Sequence, residues 1–374
     1  MQKLDVVIVG AGPAGIGMAM ELCKIPGLEF GILESGRVGE SFQRWPAQTR
    51  LISPSFYSNP FGLADLNAVD ATTSPAAFAG VQHLTGPEYA EYLQSVVDIA
   101  NLPVVAGCKV LEVNPDPEGG FHIVSELGEL HTEFLVWGCG EYQFPDLNPF
   151  PGAEYCRHYA HIEDWQILET GPHLVIGGYE SGIDSAINLV SLGHKVQLLV
   201  RRDTLEMPDV LDPSQVLSPY TRARLNELED DENLEIIYGA NVSEVTQNET
   251  GGFRVLAKDG RFWDCDYPPV IGTGFLKGGG ARQIKELWSW DDDGHIVLSE
   301  DDESVATPGL FLVGPHVRQE QRIYCFIYKF RQRFGRIAMQ IGQRLEMDTE
   351  WLEMEQEGAW GPFGNSECCE GCEC

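Results

Sequence analysis

Four thiols crowd the last seven positions of this chain, in the order Cys368-Cys369-Glu370-Gly371-Cys372-Glu373-Cys374. At that spacing Cys368 with Cys369, or Cys369 with Cys372, can alternate between dithiol and disulfide, and the same set can wrap a soft metal ion. The stretch from Gly361 to Ser366 is a tether able to carry the thiols. Exposed free thiols are a liability unless they are used, so redox work is expected of them and metal capture is the alternative.

Two glycine-rich turns offer a second kind of chemistry, the cradling of a pyrophosphate. The β-branched run from Leu4 to Val9 ends in Gly10-Ala11-Gly12-Pro13-Ala14-Gly15, and the helix-compatible Ile16 to Lys24 follows. Gly10 lets the chain turn, Gly12 lets backbone approach a pyrophosphate, and Gly15 lets the helix pack on the strand with its positive end toward the phosphates. The next strand, Glu29 to Leu33, delivers Glu34 to the place where a carboxylate accepts hydrogen bonds from an unphosphorylated ribose.

The pattern recurs in mid-chain. His173 to Ile176 runs into Gly177-Gly178-Tyr179-Glu180-Ser181-Gly182, then a helical stretch from Ile183 to Leu192 closed by Gly193. Here the second strand, Lys195 to Val200, stops at Arg201-Arg202. A carboxylate in that position repels a ribose phosphate, whereas a guanidinium fork binds one bidentately. Tyr179 replaces the middle glycine, where its side chain obstructs or restrains an approaching nucleotide.

After Glu34 the chain reads Ser35-Gly36-Arg37-Val38-Gly39-Glu40-Ser41-Phe42-Gln43-Arg44-Trp45-Pro46. This order of turn, acidic residue and Gly-Glu-Ser-Phe-x-x-Trp-Pro loop resembles the FAD domain of flavin monooxygenases and thioredoxin-reductase-like oxidoreductases. The resemblance implies that Gly39, Glu40, Ser41 and Trp45 lie along FAD, a core aromatic being the other reading of Trp45. The second turn, Gly-Gly-x-x-Ser with a bulkier middle residue, is similar to that of bacillithiol-disulfide-reductase-like flavoproteins. With the contrast between Glu34 and the arginines, FAD falls to the first unit through Gly10, Gly12, Gly15 and Glu34. NADPH falls to the second through Gly177, Gly178, Ser181, Gly182, Arg201 and Arg202. Thr307 to Gly314 resembles the last strand of an FAD domain, which implies backbone contact with the flavin near Gly314, although Pro315 stands where an acidic residue is usual.

These turns need elements to hold them. Leu135 to Gly140 reads as a buried strand ending in glycines, Glu141 to Pro151 as a loop, and Val270 to Phe275 as the returning crossover. Ile323 to Leu345, which contains no proline and two glycines, reads as one long helix. The expected architecture is α/β, with two Rossmann-like dinucleotide-binding domains and the NADPH domain inserted in the FAD domain. Residues 1–165 and 269–350 form the FAD domain, 166–268 the NADPH domain, and 351–374 an acidic linker and the cysteine-rich tail.

At 374 residues, 43% hydrophobic and 22% charged, the chain is globular and long enough for two cores. Its apolar runs fall short of the ~20 residues a bilayer span needs and no charged-then-apolar leader precedes them, so a cytoplasmic protein is expected. The formal charge of -32, from 57 acidic and 25 basic residues, repels phosphate backbones and anionic lipid, which argues against nucleic acid and membrane as partners. Cys23, Cys108, Cys139, Cys156, Cys265 and Cys325 are scattered and read as small buried hydrophobes, with Cys139 and Cys156 the candidates for chemistry. Phe150-Pro151-Gly152, leading to Cys156, His158 and His161, resembles a monooxygenase linker and makes His158 a candidate NADPH contact or else a domain-boundary histidine.

No CxxC or CxxxxC pair occurs between residues 1 and 350. The resemblance to bacillithiol-disulfide-reductase-like flavoproteins, which implies disulfide reduction without such a pair, makes the expected function an NADPH-dependent FAD oxidoreductase acting on a small-molecule or protein thiol/disulfide acceptor. Hydride passes from NADPH to FAD and on to the acceptor, with Cys368, Cys369, Cys372 and Cys374 as the relay and no metal in the site. A flavin-dependent monooxygenase and a soft-metal-handling flavoprotein are the alternatives, and a homodimer is compatible with each.

Overall fold

A computed structural model of the chain describes residues 2–57, 64–207, 210, 212–249, 251–320 and 322–357. These residues form two compact units, the first from the described parts of Met1–Gln43, Pro54–Gln143 and Lys277–Cys374, the second from those of Arg44–Ser53 and Phe144–Leu276. Among the described residues no helix is long and apolar enough to cross a membrane.

The first unit is built on β1 (Gln2–Val9), β2 (Phe30–Leu33), β3 (Val104–Val105), β4 (Val110–Pro115), β5 (Phe121–Ser125) and β6 (Gly128–Trp137). They run in the order β3-β2-β1-β6-β5-β4, and the strand Leu310–Leu312 pairs with β6. β1, β2, β3, β6 and Leu310–Leu312 are parallel, while β4, β5 and β6 form an antiparallel meander. Sequence pattern explains the difference. Val6, Val7, Ile8 and Val9 are all buried, as a strand covered on both faces requires, whereas β5 alternates between buried and half-buried residues. The helix Pro13–Leu22 starts with proline in the first turn and lies close against the helix Phe334–Arg344, where a Cβ on Gly17 would come within 2.4 Å of the Phe334 ring.

Ile323 to Leu345 is not one helix. Ile327–Phe330 and Phe334–Arg344 are α-helical and Arg331–Arg333 between them is a 3-10 turn. Two buried arginines account for the break. Arg331 donates to the carbonyl oxygens of Ala64, Asp65 and Ala68, the last at 2.7 Å, and Arg333 donates to Asp302 at 2.8 Å. Turning both guanidiniums inward, each to its own buried partners, tightens the winding between them.

In the second unit β7 (Arg157–His158), β8 (His173–Ile176), β9 (Val196–Leu199), β10 (Leu234–Ile237) and, beyond a smaller sheet, β14 (Val270–Ile271) are parallel in the order β10-β9-β8-β14-β7. The smaller antiparallel sheet is β11 (Val242–Gln247), β12 (Phe253–Ala257) and β13 (Phe262–Cys265). A shared core of Leu174, Ile176, Leu199, Val245, Phe253 and Ile271 joins the two sheets. The unit is wider than the expected 166–268. Phe144 accepts a bond from Leu276 at 2.8 Å, β7 pairs with β14, and Gly152 at φ +82° lies so close to β11 that a Cβ would reach 1.7 Å from the Val245 oxygen. Arg44–Ser53 also belongs here, tied by Thr49 Oγ1 to Asp184 at 2.9 Å and by the Ala47 amide to the Glu163 oxygen at 2.8 Å.

Candidate functional site

The glycines of the first turn divide by what requires them. Gly10 sits at φ +103°, where a Cβ would lie 2.6 Å from the Gly138 oxygen, and a Cβ on Gly15 would lie 1.9 Å from the Gly10 oxygen. Both are needed to close the turn and seat the helix. Gly12 is different: its backbone is ordinary at φ -85°, and a Cβ there meets nothing within 4 Å. No protein neighbour requires glycine at position 12. The open space above it, beside a helix start with no side-chain cap, suits a pyrophosphate pressed against backbone.

Glu34 is buried and locked to the turn, with Oε2 accepting from the Ala11 amide at 2.7 Å and Oε1 from the Gly36 amide at 2.7 Å. A carboxylate has about four acceptor positions, so hydroxyl donors can still bind it. The Gly39 amide donates to the Ala11 oxygen at 3.0 Å, which brings the following loop to the turn. Glu40, half-buried, accepts from Arg37 Nε at 3.1 Å, and Ser41 is half-buried beside it. Trp45 is half-buried and belongs with the second unit. Gly314, at φ +105°, lies against the first turn of the helix, a Cβ there reaching 3.3 Å from Ala14 Cβ. Gly10, Gly12, Gly15, Glu34, Gly39 and Gly314 thus meet at the carboxyl ends of parallel strands, the usual ligand position in open α/β sheets.

Two residues overlooked in the sequence stand at the same strand ends. Trp137, Cys139, Gly140, Gly278, Pro315 and His316 line a small pocket, and His316 Nε2, buried and without a hydrogen-bond partner among the described residues, faces Glu141 Oε2 at 3.5 Å. Burial holds the His316 imidazole down to about 4, aided by the charges of Arg318 and His295. Burial also pushes the Glu141 carboxyl up to about 7, against the pull of Arg318. A carboxyl raised above its usual range that faces a neutral imidazole at 3.5 Å can hold or pass one proton. The available signal was position: Glu141 follows the Gly138-Cys139-Gly140 strand end, and His316 comes one place after the proline found where an acid was sought.

Three other candidates lose their chemistry to packing. Burial foremost, and the Glu34 charge after it, push the Cys139 thiol far up, and its Sγ rests 3.8 Å from the Val9 oxygen. Burial likewise pushes Cys156 up to about 12. Neither is a thiolate at neutral pH. His158 accepts the Ala160 amide on Nδ1 at 3.1 Å, which leaves Nε2 to donate to the Gly274 oxygen at 3.0 Å. Both ring nitrogens are used, as befits a domain-boundary histidine.

The second turn repeats the contacts of the first turn's outer glycines. Gly177 lies at φ +129° with a Cβ 2.4 Å from the Gly272 oxygen, and a Cβ on Gly182 would lie 1.9 Å from the Gly177 oxygen. A Cβ on Gly178 would lie 2.5 Å from Val200 Cγ1, and the Ser181 oxygen accepts from Ser185 Oγ at 2.7 Å. Arg202 is committed to the turn, donating to the Gly178 oxygen at 3.0 Å with its guanidinium 5.9 Å from the Tyr179 ring centre. Arg201 is exposed and makes no hydrogen bond or ion pair among the described residues. Cys368, Cys369, Cys372 and Cys374, with their tether, lie outside the described residues. Among the described residues no group of three or more His, Cys, Asp or Glu could hold a metal ion.

Known proteins share this fold. The family described as pyridine nucleotide-disulphide oxidoreductase matches residues 7–314. Bacilliredoxin reductase Bdr of Bacillus subtilis is 24% identical over 345 residues, which cover 90% of this chain and 97% of that protein. Among solved structures, the bacillithiol disulfide reductase Bdr of Staphylococcus aureus superposes with a TM-score of 0.73 at 20% identity, over 92% of this chain and 99% of that one. The flavin-containing monooxygenase of Stenotrophomonas maltophilia gives 0.69 at 17% identity, over 92% and 100%. At such identities the two structures speak for the fold.

Proposed function

Because this chain belongs to the pyridine nucleotide-disulphide oxidoreductase family, we propose that it passes a hydride from NADPH to FAD and on to a disulfide acceptor. One observation carries the cofactor assignment. The two turns share the contacts of their first and last glycines but differ beyond the second strand: a locked carboxylate, Glu34, directly follows one, whereas Val200 follows the other and an exposed guanidinium, Arg201, comes next. The first suits the ribose of FAD, the second the phosphorylated ribose of NADPH. The disulfide acceptor is supported by the relative covering 90% of this chain, which is named a bacilliredoxin reductase.

FAD, when bound, supplies the two-electron chemistry. The chain's own residues bind and orient. Backbone at Gly12 and the start of the helix Pro13–Leu22 receives the pyrophosphate, Glu34 accepts from the ribose, and Gly39 and the backbone at Gly314 approach the flavin side. Glu40, Ser41 and Trp45 stay in the proposal as neighbours of FAD. Gly177, Gly178, Ser181 and Gly182 shape the NADPH turn, and Glu141 with His316 holds a proton near the first set of strand ends. Cys368, Cys369, Cys372 and Cys374 carry reducing equivalents outward.

Arg201→Gln tests the assignment. Losing a charge-assisted pair costs about 1.5–3 kcal/mol, or roughly ten- to a hundredfold in affinity. The expected result is a rise of that order in the KM for NADPH with the KM for NADH unchanged. Arg202 should be left intact in the first variant, because its bond to the Gly178 oxygen supports the turn itself. A cofactor ratio that does not move counts against the second unit as an NADPH site.

A further inference from the structure

The middle position of the second turn departs from the first in a way that the shared geometry makes readable. Gly12 and Tyr179 are both extended N-caps, at φ -85°, ψ -174° and φ -135°, ψ -170°. Each is flanked by a left-handed first glycine on a neighbouring strand-end carbonyl and by a last glycine whose Cβ would lie 1.9 Å from the first one's oxygen. The Tyr179 side chain therefore leaves the backbone toward the space that is empty of protein within 4 Å at Gly12. That is the seat a pyrophosphate takes in such turns.

The phenol is held at its hydroxyl end. Its hydroxyl reaches the Val216 oxygen at 2.9 Å and the Ser214 oxygen at 3.1 Å. One residue on, the Glu180 carboxylate accepts from the Ser218 amide at 2.5 Å, from Thr221 Oγ1 at 2.5 Å and from Ser218 Oγ at 3.3 Å. Two successive side chains thus tie residues 214–221 to the start of the helix Glu180–Ser191. Their strengths differ. Glu180 is a charged acceptor with three donors, so it is the anchor, and it satisfies its charge on Ser218 and Thr221. The Tyr179 hydroxyl has one proton for two neutral carbonyls, so its bonds to Ser214 and Val216 are the weaker of the two ties.

We propose that Tyr179 is a latch that sets the affinity and entry rate of the nucleotide, which binds when the phenol gives up the Ser214 and Val216 carbonyls and swings off the pyrophosphate seat. This rests on the second unit being the NADPH site. While the latch is closed the binding-competent fraction is small, and apparent affinity falls by that fraction. Phenylalanine at position 179 keeps the ring and removes the hydrogen bond. Glycine restores the open turn of the first unit.

Stopped-flow binding of NADP+ to the FAD-loaded protein, followed by tryptophan fluorescence, with the Kd measured by calorimetry, separates the cases. For the wild type the observed rate should level off as NADP+ rises, because latch opening becomes limiting. Tyr179→Phe should raise the plateau and lower the Kd, each by about tenfold, the size of one ordinary hydrogen bond. Tyr179→Gly should bind at least as tightly with no plateau. Equal plateau and Kd in wild type and Tyr179→Phe, or weaker binding by both variants, would overturn the latch. No binding of NADP+ by any of the three proteins would overturn the reading of the unit as a nucleotide site, and the latch with it.

Discussion

Gly12→Val should give a folded protein that purifies without flavin. The backbone at Gly12 lies at φ -85° and a Cβ there meets no protein atom within 4 Å, so the chain tolerates the side chain. The pyrophosphate does not, because the isopropyl group fills the space through which it reaches the backbone. Overpacking a close-fitted site by a few carbons costs about 1–3 kcal/mol, roughly five- to over a hundredfold in affinity. Flavin absorbance per protein, read beside a far-UV circular dichroism spectrum, checks both halves of the expectation. Gly15→Val is the contrasting variant: its Cβ would sit 1.9 Å from the Gly10 oxygen, so it should fail to fold rather than fold empty. Full flavin occupancy in Gly12→Val would contradict the first unit as the FAD site.

Removing residues 367–374 should leave NADPH-driven flavin reduction at the wild-type rate and abolish turnover with disulfides. Thiol–disulfide exchange needs a thiolate to attack the acceptor and a second thiol to resolve the mixed disulfide and release the reduced product. The two electrons lost by that pair are returned from NADPH. In the described body this chemistry is poorly served. Burial raises Cys265 to about 11 and Cys156 to about 12, and Cys139 lies higher still, so none of the three is a thiolate at pH 7. Cys368, Cys369, Cys372 and Cys374 supply closely spaced thiols on a tether. Rapid-mixing reduction followed by steady-state disulfide turnover reads the two effects separately. A truncated enzyme that turns over disulfides at the full rate removes the tail from the electron path.

Much of the frame was legible because it is local. A strand, a glycine turn and a helix follow one another in sequence, and Val6 to Val9 declare a doubly covered strand by their run of apolar side chains. The contrast between Glu34 and Arg201 is equally local. What escaped depends on partners far away in the chain. The break at Arg331–Arg333 is set by the carbonyls of 64–68 and by Asp302. The start of the second unit at Phe144 follows from the pairing of β7 with β14 and from Gly152 on β11. Glu141 and His316 meet because the strand Leu310–Leu312 pairs with β6. Burial, which single-sequence patterns show only on average, decided Cys139 and His158.

Anaerobic reduction of the FAD-loaded protein by one equivalent of NADPH, followed by a second mixing with either disulfides or oxygen, tests the central claim most directly. The flavin spectrum should bleach on the first mixing. On the second it should recover with a low-molecular-weight or protein disulfide, one disulfide reduced for each NADPH, and recover only slowly with oxygen. Rapid recovery with oxygen, substrate-linked oxygen uptake and indifference to every disulfide tried would contradict the account and make the protein a monooxygenase.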